Sequence, residues 1–396
     1  MKRKGALILE KEYRYWMCRI SGFGALKVRS LLEYFGSAEE VWKAAQGQLC
    51  EAMSGVRIGD SDKLLFRRQD LEQLLEAKNE LDNMIKDYHK LQQHDIHFLI
   101  PEDDAYPERL KNLFDLPQGL FVSGRFVRSE KERPTAAIVG ARNCTYYGEE
   151  MARVLAGELC RCGVDVISGM AIGIDAAAHR GVLNMRKKYQ NGGLTFAVLG
   201  CGADVCYPKR NQDIYDRLYG RPDDCRLDGG ILTEFPVHTA PYPSNFPMRN
   251  RIISAMADVV IVIEARRKSG SLITADQALE QGKDVCAVPG RITDPLSEGC
   301  NELIRQGAEI ITDPIEFVKK RFEKDKSCTE KIRKNKIVLA TTEEKVYSCL
   351  DFNPKHLGEI VEATGFTAQE AMLAILQLMM KELVVETSKN YYALKF

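Results

Sequence analysis

Nine short, nearly uninterrupted apolar runs set the strongest limit on what this chain can fold into. They are HFLI at 97–100, LFVSG at 120–124, AAIVG at 136–140, DVISG at 165–169, TFAVLG at 195–200, GILTE at 230–234, VVIVIEA at 259–265, DVCAVPG at 284–290 and EIITD at 309–313. Strands this apolar need cover on both faces, and the stretches between most of them have the length and pattern of helices. The expectation is an α/β fold: an extended Rossmann-like, doubly wound, mostly parallel sheet. Ligands of such sheets lie beyond the carboxyl ends of the strands.

Those ends carry the unusual residues. The stretch VDVISGMAIGIDAAAHRGVL, from Val164 to Leu183, reads as strand, glycine turn and helix start, with Ser168, Gly169 and Gly173 in the turn. Such a turn lets backbone approach a ligand, and the first amides of the helix favour an anion. The spacing is not that of the dinucleotide fingerprint. After AAIVG comes Ala141-Arg142-Asn143, after TFAVLG come Gly200, Gly202, Tyr207, Lys209, Arg210 and Asn211, and Asn245-Phe-Pro-Met-Arg249-Asn-Arg251 opens a helix. After VVIVIEA comes SGSLITA. Five strand ends thus bring Gly, Ser, Thr, Asn and cations to one edge of the sheet.

The flanks read differently. Residues 1–78 are expected to form a helical domain, in which Ile20-Ser-Gly-Phe-Gly24 and the helix behind it resemble a helix-hairpin-helix. Residues 79–318 hold the Rossmann-like domain. Residues 319–340 read as a charged linker, with nine cations against three anions in 319–336. Residues 341–396 follow the plan of a winged helix, and its third helix has no basic residue before Lys381, which favours protein over DNA as its contact.

Composition narrows the classes. With 56 basic and 56 acidic residues among 396, the chain has no uniformly basic coat, so nucleic-acid binding has to come from a local patch. No apolar run is long enough to span a bilayer and the charged start is unlike a signal peptide, so the expected location is cytoplasmic, without membrane contact. The twelve cysteines lack zinc spacing and read as reduced thiols; no metal or other cofactor is expected.

Taken together, SGMAIGID, LGCGADVCYPKRN, FPMRNRIIS, SGSLITA, DVCAVPG and GCNELIRQGA resemble the DNA-processing protein A (DprA/Smf) family. The resemblance is tight over residues 97 to 313. It implies an extended Rossmann fold that binds single-stranded DNA with little sequence preference, a homodimer, and loading of the RecA recombinase onto incoming strands during natural transformation. Carried over by motif, Arg142 and Lys209 are the implied DNA cations, with Ser168, Gly169, Gly173, Gly200, Gly202, Asn211, Arg249 and Arg251 around them. The implied protein is not an enzyme. The competing class is a Rossmann-like protein that binds nucleotides or processes nucleoside monophosphates, with Glu234, Asp175 and His179 as its acid–base candidates; this chain's GGILTEF differs from that class's glycine loop.

Overall fold

The computed structural model describes residues 2–59, 61–125, 133–221, 227–322 and 339–395. Most of the charged stretch expected as a linker, 323–338, lies outside the described residues.

Six helices come first: α1 (Lys2–Arg19), α2 (Ala25–Phe35), α3 (Ala38–Lys43), α4 (Gln46–Met53), α5 (Arg68–Lys78) and α6 (Leu81–Lys90). They enclose a core of their own around Trp16, Met17, Leu31, Val41, Leu49 and Leu74, all fully buried. The Trp16 indole donates to Ala77 O at 2.8 Å, so the largest core residue also leaves no buried donor unpaired. Gly36 ends α2 in the left-handed conformation at φ 86°, and Ser37 caps α3 by accepting from Glu40 N.

All nine apolar runs form strands of one sheet. The elements are β1 (Ile96–Leu99), β2 (Leu120–Gly124), β3 (Thr135–Val139), α7 (Tyr146–Arg161), β4 (Asp165–Ser168), α8 (Ile174–Arg186), β5 (Thr195–Val198), α9 (Gln212–Leu218) and β6 (Gly229–Thr233). They continue with α10 (Asn245–Met256), β7 (Val259–Val262), α11 (Gly270–Glu280), β8 (Asp284–Ala287), α12 (Glu298–Arg305), β9 (Glu309–Ile310) and α13 (Pro314–Phe322). The strand order is β1-β2-β6-β5-β4-β3-β7-β8-β9. Pairing is parallel from β6 across to β9, while β1–β2 and β2–β6 are antiparallel.

Alternation along the strands explains the continuous apolar runs. Ala137 and Val139 of β3, with Val260 and Val262 of β7, pack beneath α10, α11 and α12. Their neighbours Ala136, Ile138, Val259 and Ile261 pack on the opposite face beneath α7, α8 and α13. Each face is therefore dry, and an aliphatic side chain buried there contributes about 1.5–3 kcal/mol relative to exposure. Phe317 and Val318 of α13 belong to that second face, so Lys319–Phe322 complete a packed helix before the charged stretch begins.

The last elements are α14 (Thr341–Cys349), β10 (Lys355–His356), α15 (Leu357–Thr364), α16 (Ala368–Met380), β11 (Val384–Ser388) and β12 (Tyr391–Leu394). The ribbon β11–β12 gains a third short strand, β10, which pairs with β12. No helix among the described residues is long and apolar enough to cross a membrane. The described cysteines are all free thiols, and no described group of His, Cys, Asp or Glu is arranged to hold a metal.

Candidate nucleic-acid interface

The chain runs from β3 through β4 and β5 to β6 on one side and from β7 through β8 to β9 on the other, which makes the β3/β7 boundary the switch point. A cleft of about 490 Å³ lies there, lined by Gly140–Arg142, Tyr207, Phe246, Arg249, Asn250 and the Ser269–Ser271 start of α11. A smaller hollow beside it is walled by Arg142, Gly200, Tyr207, Pro208, Phe246 and Arg249.

The glycine turn after β4 is built differently from the sequence expectation. Ser168 and Gly169 are buried, and the Ser168 hydroxyl donates to Ile138 O at 2.6 Å. The turn's amides are answered internally: Asp175 Oδ2 accepts from Gly169 N at 3.1 Å and Ala171 N at 3.4 Å, and Ile174 N bonds Ala141 O. A carboxylate of the protein thus takes the place expected for a phosphate at this turn. Gly173 sits at φ 79°, and a Cβ there would come within 2.3 Å of Ala141 O, so this position tolerates only glycine. Asn211, also buried, donates from Nδ2 to Met170 O at 2.9 Å and Ala171 O at 3.2 Å, which clamps the turn from outside.

The start of α7 follows the same rule. Glu264, at the end of β7, accepts from Thr145 N at 2.8 Å and Thr145 Oγ1 at 2.5 Å. An anion is welcome at a helix start, and here the chain supplies it. Nothing in the spacing of the sequence singled out Glu264; its one signal is an acid directly behind a β-branched strand.

Cations divide into two sets. Arg142 and Lys209 are exposed, as is Arg210, on turns that follow β3 and β5. The Arg142 guanidinium lies 5.3 Å from the centre of the Phe246 ring, and the Tyr207 ring stacks on Phe246 at 5.8 Å and 29°. Tyr207 remains 41% exposed, so a flat ring has access to this stack. Lys209 and Arg210 belong to the short helical turn immediately after Tyr207 and Pro208.

Arg249 and Arg251 belong to the interior instead. Arg249 is buried under the cleft, its Nη1 donating to Gly169 O at 2.8 Å and also to Val198 O. Burial pulls its pKa down to about 10, against the nearby Asp175 carboxylate, so it stays cationic near neutrality and lends charge through the floor. Burial pushes the Asp175 carboxyl up and Arg249 pulls it down. Arg251 turns away from the cleft, with Nε on Asp115 at 2.6 Å and Nη2 on Glu234 at 2.6 Å. The physical reason is helical: residues two apart on α10 face in different directions. Gly200 and Gly202 are buried as well; Gly200 lets the Phe246 ring lie 2.8 Å from where a Cβ would stand, and Gly202 packs against Asp204 and Pro236.

The acid–base candidates are not assembled. His179 is fully buried, and its Nδ1 meets Thr195 Oγ1 at 2.7 Å rather than Asp175. The Thr195 hydroxyl donates to Val166 O, so the imidazole is the donor in that contact. Burial drives the His179 pKa down to about 3. A base whose folded pKa is depressed costs stability as pH falls from its unfolded value, about 6.5, towards 3. The wild type is therefore expected to lose about 1.4 kcal/mol per pH unit over that range from this group, and His179→Gln to lose correspondingly less. Denaturant midpoints of both proteins at pH 7 and pH 5 provide the check; parallel losses would refute the assignment.

Comparison with known proteins agrees with this architecture. Residues 97–321 match the family described as DNA recombination-mediator protein A. Protein Smf of Synechocystis sp. is 33% identical over 304 residues, covering 76% of this chain and 70% of that one. DNA processing protein DprA of Streptococcus pneumoniae is 41% identical over 214 residues, 53% of this chain and 69% of the relative. The crystal structure of DNA processing protein A from the same bacterium superposes with a TM-score of 0.62 at 32% identity, covering 78% of this chain and 98% of that one. A doubly wound sheet whose switch point is lined by these motifs, together with a match over residues 97–321, shows that the chain belongs to the DNA recombination-mediator protein A family and has a role in DNA processing.

Proposed function

We propose that this protein binds single-stranded DNA along the carboxyl edge of its sheet, without sequence preference, and delivers the strand to RecA. The observation that carries this reading is the juxtaposition of Arg142 with the Phe246 and Tyr207 rings at the cleft, with the exposed Lys209 two residues after Tyr207. A single strand offers phosphates for such cations and unpaired bases for such rings; a duplex hides the base faces. Stacking is tolerant of base identity because every base has a π face.

The role is binding rather than turnover. Glu234 is tied to Arg251 away from the cleft and His179 is walled off in the core, so an acid–base pair for hydrolysing a nucleoside monophosphate has no support. The helix α16 exposes Leu373, Leu376 and Met380, an apolar stripe better suited to protein than to phosphates, which supports a protein-facing role for residues 341–396. The protein works as a homodimer in this reading, in the cytoplasm, and its Rossmann-like unit ends after Phe322 rather than within α13.

Titration against single-stranded and double-stranded oligonucleotides over a salt series tests the binding reading. Tighter single-strand binding with a negative salt slope, and recovery of the oligonucleotide intact, are expected; equal affinity for the duplex would overturn it. For delivery, the protein should speed RecA assembly on strands coated with single-strand-binding protein. Equal assembly rates with and without it would remove that part while leaving DNA binding in place.

A further inference from the structure

The loop that carries the chain from β7 into α11 reads Ala265-Arg266-Arg267-Lys268-Ser269. From Ala265 to Ala275 there are three cations and no anion, in a chain whose overall charge balances. All three side chains are exposed, and none makes a hydrogen bond or ion pair with another described residue. Arg109, Arg180, Arg186 and Arg251, by contrast, are each tied to a carboxylate. Pairing cancels most of a cation's outward field, so this loop presents positive charge that the fold leaves uncancelled.

We propose that a single strand bound at the switch-point cleft continues over this loop, with phosphates on Arg266, Arg267 and Lys268, and runs on to the tip of the loop between β8 and α12, where Arg291 takes a further phosphate. The inference rests on the single-strand binding proposed above and adds a direction to it, from Arg142 across the end of β7 towards β8.

The placement of the loops supports this path. Ser269, Gly270 and Ser271 line the cleft, so Lys268 stands one residue outside it. Strand β7 lies between β3, whose following turn carries Arg142, and β8. Neighbouring strands are about 4.8 Å apart, so the loops after β3, β7 and β8 succeed one another along roughly 10 Å of edge, a distance that a few stretched nucleotides cover. The last two loops touch: Ala265 N donates to Leu296 O at 2.7 Å, and Gly299 N donates to Ala265 O at 2.8 Å. A Cβ on Gly299 would come within 2.9 Å of Arg266 O, so glycine is what permits this approach. Beyond the contact, Arg291 is exposed with no side-chain partner among the described residues, and Ile292 beside it is 91% exposed. A cation next to an apolar side chain suits a single strand, which offers an uncovered base beside each phosphate.

The acids of this rim are mostly engaged. Asp294 Oδ1 accepts from Leu296 N at 3.0 Å, and Glu264 accepts from Thr145. Glu302 is paired with Arg305, whose hydrogen bonds, with one from Gln306 and a smaller share from the charge of Arg267, hold its carboxyl down to about 2. Glu298, exposed in the first turn of α12, remains against the four cations.

The test joins Arg266→Gln, Arg267→Gln and Lys268→Gln in one protein and measures its affinity for an oligothymidylate of about 20 nucleotides over a salt series, beside the wild type and Arg142→Ala. Because the three side chains are exposed, the thermal midpoint should stay within about 2 °C of the wild type. Loss of two or three phosphate contacts should flatten the log–log slope by about 1.4 to 2.1 and weaken binding at low salt by about tenfold or more. Arg291→Gln alone should flatten it by about 0.7. Lys187→Gln combined with Lys188→Gln removes two exposed charges just past the end of α8, at the opposite edge of the sheet, and should leave the slope unchanged. A triple variant with the slope of the wild type would overturn the path, as would an equal flattening in the Lys187 and Lys188 variant. Weakened binding in Arg142→Ala beside an unaltered triple variant would overturn the path alone. Failure of the wild type to bind the strand would instead overturn single-strand binding itself, and this extension with it.

Discussion

Replacing Arg142 or Lys209 with alanine should weaken single-strand binding by about 1.5–3 kcal/mol each, roughly 10- to 150-fold, because each removes one charge-assisted contact to a phosphate. Each should also flatten the salt dependence by about 0.7 in the log–log slope, the signature of one fewer neutralised phosphate on a single strand. Base preference should not change. Neither side chain is buried, so stability should move by less than about 0.5 kcal/mol, and loss of affinity can be read as loss of contact. Arg142 lies against Phe246, and its removal also loosens the ring stack, so the larger of the two effects is expected there. Fluorescence anisotropy with a labelled oligonucleotide at several salt concentrations decides the matter. Unchanged affinity and slope in both variants would exclude this edge as the binding surface.

A larger effect, this time on folding, is expected at Arg249. Its guanidinium bonds two backbone carbonyls from different strand ends and faces the buried Asp175 carboxylate. Arg249→Ala leaves those carbonyls without their donor and Asp175 with an uncompensated charge, which costs about 3–5 kcal/mol. For a domain of this size that corresponds to a fall in thermal midpoint of very roughly 10 °C. Arg249→Met, which retains the apolar stem, should remain nearly as destabilised, because the missing element is the fork of donors rather than volume. A midpoint within about 2 °C of the wild type for either variant would mean that the turn after β4 holds its shape without this residue. Arg251→Ala, two residues along the same helix, should also destabilise while leaving the salt slope of binding unaltered, since that side chain serves Glu234 and Asp115.

The sheet was legible because its strands are buried on both faces. A run such as VVIVIEA has no other stable environment in a water-soluble fold, and all nine runs became strands at the expected positions. The helix boundaries near the carboxyl terminus were readable for a related reason: Gly365 and Thr367 mark one helix end and the next start, and each takes that role, Gly365 as a left-handed cap and Thr367 accepting from Glu370 N. The site was legible only as a neighbourhood. Motifs at strand ends identified the edge of the sheet, and the exposed cations Arg142 and Lys209 are there.

By itself, then, the sequence determined the layers, the strand-forming segments and the edge at which polar and charged residues collect, because those follow from local periodicity and from where glycine and capping residues interrupt it. Tertiary structure alone decided which of those residues stand exposed at the cleft and which are buried beneath it. Arg249 and Arg251 stand in one short motif, yet one supports the floor of the cleft and the other is committed to Glu234 and Asp115. Asp175 claims amides of the turn before α8 that the sequence left open to an anion, and Glu264 claims the amide of the α7 N-cap residue Thr145, since a buried amide requires an acceptor and a neighbouring carboxylate meets that need before any ligand arrives. Which donor meets which acceptor depends on strand order across β3, β4 and β7, and that order is a property of the packed sheet rather than of any stretch of chain.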